Sequence, residues 1–189
     1  MKKFLASALM LLAASTATFA QHAVGSFTLQ PKVGINVATL TDLNGAGKSR
    51  VDFVGGLEGE YQASDLFSLS AGLLYSRQGA KDKNDSEVAG VSNAWEPSYL
   101  NIPILANVYV VKGLAVKAGV QPGFMVGKDG AGDAAKTFDF SIPVGLSYEL
   151  PTVPLVIDAR YNWGLTKVID GADCKNSVFQ FTLGYKFEL

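Results

Sequence analysis

One cysteine, one histidine and few charges are spread over 189 residues, of which only 17% are Asp, Glu, Lys or Arg. Cys174 alone cannot form an internal disulfide, and with His22 as the lone imidazole there is no thiolate zinc site or multi-histidine metal centre. Charge of one sign is also missing, since 16 Lys plus Arg against 17 Asp plus Glu leave a net charge of -1. That balance offers no field for holding nucleic-acid phosphates, so no nucleic-acid partner is expected. Most familiar catalytic apparatus is absent, and the sequence predicts no enzyme, no cofactor and no metal. What is abundant is glycine, at 20 residues, with 11% aromatics and 48% apolar residues, in a length that suits one domain.

Lys2 and Lys3 precede an apolar stretch from Phe4 to Ala14, and Thr18-Phe19-Ala20 ends on a small residue. This is the layout of an export signal cleaved after Ala20. A membrane-anchoring helix is the alternative, but no positive stop follows the apolar stretch, which favours the signal. The expected organisation is a signal peptide over 1–20 and one domain over 21–189. No Cys follows the cleavage site, so no lipid anchor is expected. Beyond residue 20 no apolar run is long enough to span a bilayer as a helix, so a membrane could be crossed only by strands.

Alternation along the chain predicts such strands. From Phe138 to Leu150 every second residue is apolar (Phe138, Phe140, Ile142, Val144, Leu146, Tyr148, Leu150), with Asp139, Ser141, Pro143, Gly145, Ser147 and Glu149 between them. The same period runs through Leu155–Thr166 and Phe179–Leu189. It recurs with more noise in Phe27–Thr39, Val51–Tyr61, Phe67–Ser76, Leu100–Val110 and Leu114–Val126. That makes eight strands, about twice as long as the usual five or six residues of a soluble sheet. Long polar connections (Leu40–Arg50, Gln78–Pro97, Gly127–Lys136, Lys167–Asn176) alternate with short turns at Ala63–Asp65, Val111–Gly113 and Pro151–Pro154. The expected fold is all-β, an eight-stranded antiparallel up-and-down transmembrane β-barrel with both termini on the short-turn side.

A strand pattern alone does not say which face points outward, because a soluble lipocalin-like barrel exchanges the two. Strand length suits a tilted crossing of about 9 to 11 residues. The apolar face carries Tyr61, Tyr75, Tyr148, Trp163, Tyr185 and Phe187 towards strand ends, as interfacial girdles do. The polar face mixes both charge signs with Gly and Ser, which suits a narrow lumen. The predicted lumen charge network is Lys32, Glu58, Glu60, Lys117, Asp139, Asp158, Arg160 and Lys186; desolvated charges of opposite sign must pair, which makes an ionic plug.

Tyr99-Leu100-Asn101-Ile102-Pro103, the run Asp158-Ala159-Arg160-Tyr161-Asn162-Trp163-Gly164-Leu165-Thr166 and the closing Gly184-Tyr185-Lys186-Phe187 are more specific than alternation. Through them the chain resembles the outer-membrane β-barrel domain of Bacteroidota, the PorT-like "porin family" proteins. The resemblance implies an OmpA-like eight-stranded barrel over the whole mature chain, in a group whose members mostly lack an assigned activity and some of which are linked to secretion of other proteins. The chain departs from the usual assembly signal by ending on Leu189, with Phe187 two residues before it.

Other motifs carry less. Gly45-Ala46-Gly47-Lys48-Ser49 looks like the end of a phosphate-binding loop, but Asp42 stands where its first Gly belongs and no helix pattern follows. Lys81 to Glu87 lacks the central Gly and final Glu of a calcium loop. Asp158 and Arg160 share a face but have no lumen histidine as base, so a structural salt bridge is expected. His22 is expected to be mobile, and Cys174 a bystander thiol. The chain is therefore expected to act at the outer membrane as a structural or surface-interaction protein. Outer-membrane lipid and the barrel-assembly machinery are its expected partners, with a surface or periplasmic protein of unknown identity, and it is expected to be a monomer. A narrow or gated pore is the second reading, and a soluble barrel binding an apolar ligand the third.

Overall fold

The computed structural model describes residues 22–40, 47–78, 80–82, 96–129, 137–167 and 175–189. In chain order these form β1 (Phe27–Leu40), β2 (Gly47–Ser64), β3 (Phe67–Arg77), β4 (Ala80–Asp82), β5 (Glu96–Asn101), β6 (Ile104–Val111), β7 (Leu114–Asp129), β8 (Phe138–Glu149), β9 (Leu155–Lys167), β10 (Lys175–Tyr185) and β11 (Phe187–Glu188). Three pairs are single staves: β4 prolongs β3, β6 follows β5, and β11 ends β10. Eight staves result, each antiparallel to the one before it. β1 pairs β2 on one side and β10 with β11 on the other, which closes the barrel and leaves no edge.

Two of these staves break without changing partner. Pro103 has no N–H to donate, yet the wall continues through the break. The Ile102 amide donates to the Pro122 carbonyl at 2.8 Å, and the Gly72 amide to the Pro103 carbonyl at 2.9 Å. At the second break the Lys186 amide donates to the Pro154 carbonyl at 2.8 Å. A bulge at Ser98/Tyr99 turns both of these side chains to the buried side. This is the structural content of the Tyr99-to-Pro103 motif: a bulge, an inward tyrosine and a proline break within five residues.

Several strands outrun the alternation that predicts them. β2 starts at Gly47 rather than Val51, β5 at Glu96 rather than Leu100, and β10 at Lys175 rather than Phe179, while β7 runs on to Asp129. All four extensions lie at the end of the long connections. There both faces leave the apolar band, so sequence periodicity fades while the backbone ladder continues.

Side-chain burial is inverted relative to a water-soluble protein. Val33, Ile157, Phe179 and Trp163 are 52–61% exposed on the outer wall, whereas Lys32, Glu58, Asp158 and Arg160 are at most 4% exposed inside it. This removes the soluble lipocalin-like reading, which needs an apolar interior. The lumen nevertheless holds some apolar filling at positions of inward parity, in Val54, Leu74, Leu105 and Val178.

Candidate functional site

The charged side chains at the centre of the lumen come from four strands. Lys32 is on β1, Glu58 on β2, Lys117 on β7, and Asp158 and Arg160 stand two apart on β9, which gives them one face. Their reach is made possible by glycine at the facing positions. Lys32 lies opposite Gly56 and Gly184, Glu58 opposite Gly72, and Gly145 opposite both Lys117 and Arg160. A long side chain can cross a narrow lumen where its neighbour has none.

Five of the predicted residues meet at the centre. Lys32 Nζ lies 2.9 Å from Glu58 Oε1 and 3.3 Å from Asp158 Oδ2. Lys117 Nζ repeats this from the other side, at 2.9 Å and 3.2 Å. Arg160 grips Asp158 with Nε at 2.8 Å and Nη2 at 2.8 Å, and its Nη2 also reaches Glu58 Oε2 at 3.0 Å. This fork-like engagement of a carboxylate is the strong form of an ion pair.

A second tier lies towards the short-turn end. Lys186 Nζ bridges Glu60 at 3.0 Å and Glu149 at 2.9 Å. Ser68 Oγ and Tyr109 Oη each donate to Glu60 Oε1 at 2.5 Å. His22 Nε2 sits 3.1 Å and 3.3 Å from the two Glu149 oxygens. The expectation of a mobile His22 is therefore corrected. Gly25 takes φ of 90° and its amide donates to the Gln62 carbonyl at 2.8 Å, which folds the segment back over the barrel mouth.

Asp139 stands apart from both tiers. It lies six residues along β8 from Gly145, roughly 20 Å at a strand's rise, and is held by Thr166 at 2.5 Å and Asn176 at 2.9 Å rather than by a cation. Grouping it with the central charges is thus corrected: inward parity selects a face, not a height. Glu149 and His22 belong to the second tier although neither is in the predicted network. Glu149 has the right parity on β8 and was legible on that ground; His22 precedes the first strand and carries no periodic signal. Arg50 and Asp52 form a further pair on β2.

Of the lesser motifs, Gly47–Ser49 is strand, paired with Asp82–Ala80, which leaves no phosphate-cradling loop before a helix there. The rest of that motif, most of the Lys81–Glu87 stretch, Cys174 and the signal segment lie outside the described residues. Among the described residues no group of three or more His, Cys, Asp or Glu could hold a metal ion. The central carboxylate oxygens are already engaged by Lys32, Lys117 and Arg160. These ion pairs tie β1, β2, β7 and β9 together across the lumen.

A family model described as "Outer membrane protein beta-barrel domain" matches residues 19–170. The chain belongs to this family. The match stops short of β10 and β11, the stave that closes the barrel against β1. Among solved structures, the Yersinia pestis outer membrane protein Ail in a phospholipid bilayer nanodisc is 16% identical with a TM-score of 0.54, covering 86% of this chain and 99% of that one. Neisserial surface protein A is 14% identical at a TM-score of 0.51, covering 85% and 97%. OprG of Pseudomonas aeruginosa is 13% identical at 0.51, covering 89% and 99%. At these identities the likeness is one of fold. No curated protein matches the chain. As an outer membrane β-barrel protein, the chain turns its apolar wall to lipid and its ion pairs to the lumen.

Proposed function

We propose that this outer membrane barrel is a closed, ion-plugged scaffold, a structural or surface-interaction protein that works through the long connections on its extracellular side or through a periplasmic partner. The observation that carries this reading is the charge balance of the two tiers. Lys32, Lys117, Arg160 and Lys186 stand against Glu58, Glu60, Asp158 and Glu149, all within ion-pair distance of a partner. Opening a water column would separate these groups inside a wall of low polarity, where an unmatched charge costs several kcal/mol. An eight-stranded barrel is also only wide enough for its own side chains. The PorT-like affiliation suggested by the Tyr99-to-Pro103 and Asp158-to-Thr166 motifs adds a link to secretion of other proteins. Assembly by the barrel-assembly machinery and a monomeric state complete the proposal.

Planar-bilayer recording of the purified protein tests it. The expected record has no steady conductance, and liposomes carrying the protein take up no sugar. Stable ion conductance from the unmodified protein, altered in ion selectivity by Lys117→Gln, would establish the narrow-pore reading instead.

A further inference from the structure

Asp139 is a buried lumen carboxylate with no ion pair among the described residues; it is 6% exposed. Its partners, Thr166 Oγ1 and Asn176 Nδ2, are neutral donors, so they orient the charge without cancelling it. The two tiers nearer the short turns balance each other and stand apart from Asp139. An isolated buried charge is unfavourable unless something of opposite sign meets it.

The surroundings of Asp139 hold another unmet group. Asn101, Gly123 and Asp139 form one row across β5, β7 and β8. A Cβ at Gly123 would collide with the Asn101 side-chain oxygen and come within 3.7 Å of the Asp139 carbonyl oxygen, so the Asn101 amide lies over the glycine, between the two strands. Gln121 Oε1 is a buried acceptor without a hydrogen-bond partner. The Tyr99 hydroxyl meets Asn176, which also holds Asp139, and Gln121 is two residues from Gly123 on the inward face. A buried polar group left unpaired in this way points to an occupant that meets it.

We propose that this part of the lumen, around Asp139 and on the long-connection side of the ion cluster, binds a singly charged cation. Asp139 supplies the counter-charge, and the Gln121 and Tyr99 oxygens are neutral acceptors for it. One carboxylate among neutral oxygens suits a single positive charge; a divalent ion draws on more carboxylates than this part of the lumen has. The occupant is either an alkali-metal ion or the primary ammonium head of a small molecule, which present the same charge to the same oxygens.

The test uses the folded full-length barrel in detergent micelles at constant ionic strength. Its unfolding midpoint is measured by gel mobility in sodium, potassium, methylammonium or choline chloride. The expected result is a saturable rise with one or more of the small cations over choline, whose methyl groups keep its charge away from a carboxylate, and loss of that rise in Asp139→Asn. A rise with sodium or potassium assigns the inorganic ion, and one confined to methylammonium assigns an ammonium ligand. Because Asp139→Asn could fail to fold, excess 23Na relaxation on the unmodified protein, displaced by potassium or methylammonium but not choline, supports the site independently. Equal midpoints in all four salts with no displaceable sodium signal would overturn the proposal in favour of a hydrated or protonated Asp139. So would a cation response that survives Asp139→Asn.

Discussion

Removing Arg160 is the most direct challenge to the ion-plug argument. In Arg160→Ala, Asp158 loses two contacts of 2.8 Å and Glu58 one of 3.0 Å, and the two tiers pass from four charges of each sign to three positive against four negative. Breaking one partner out of a buried pair typically costs about 3 to 5 kcal/mol. For a chain of this size each kcal/mol shifts the melting midpoint by roughly 2 to 4 °C, so the expected fall is on the order of 6 to 20 °C. Heat modifiability on a gel reads it, as the temperature at which the folded band gives way to the unfolded one. The paired replacement Arg160→Leu with Asp158→Leu removes one charge of each sign and should recover much of the loss, because a buried ion pair is often no more stabilising than apolar side chains of similar volume. A midpoint for Arg160→Ala within about 2 °C of the parent, a shift worth under about 1 kcal/mol, would refute the reasoning. It would mean that water hydrates these groups and that the lumen is wetter than the distances imply.

Three further expectations follow from the wall and its connections. Trp163, exposed on the lipid face, should be quenched by brominated lipid in vesicles and spared by aqueous iodide; the reverse pattern would overturn the orientation. Protease added to intact cells should cut within Gln78–Pro97, the longest connection, and cutting near Lys112-Gly113 instead would invert the topology. Gly145→Leu should block folding rather than narrow a passage, because even a Cβ there collides with the Ala159 carbonyl oxygen on the neighbouring strand; a folded Gly145→Leu barrel of normal stability would show that the strands have more room than this packing allows.

Legibility in the sequence divided along physical lines. A half-buried strand repeats every two residues whichever solvent it faces, so Phe138 to Leu150 announced both β8 and the face carrying Gly145 and Glu149. The same rule failed at Tyr99, where a bulge puts Ser98 and Tyr99 on one side and no two-residue period can describe them. It also gave no height. Asp139 and Asp158 look equivalent in an alternating string, yet one sits beside Asn176 near the long connections and the other among Lys32, Lys117 and Arg160. Height depends on the stagger between strands, which is set by closure of the whole barrel. His22 was invisible for a different reason: its place follows from a glycine turn and one long-range contact to Glu149, not from any repeat.

The same stagger explains why the glycines on the polar face were visible while their purpose was not. Gly56, Gly184, Gly72 and Gly145 each lie opposite a charged member of the central cluster. At three of them, Gly56, Gly72 and Gly145, an added Cβ would strike a neighbouring carbonyl oxygen. Close strand approach and long crossing side chains are therefore two parts of one solution. Tight coiling brings the walls near enough for Lys, Arg, Glu and Asp from four strands to touch, and glycine alone permits that coiling beside them. A lumen built this way has little freedom to widen, because each step outward would lengthen several ion contacts at once. That rigidity makes the barrel centre a brace between four strands.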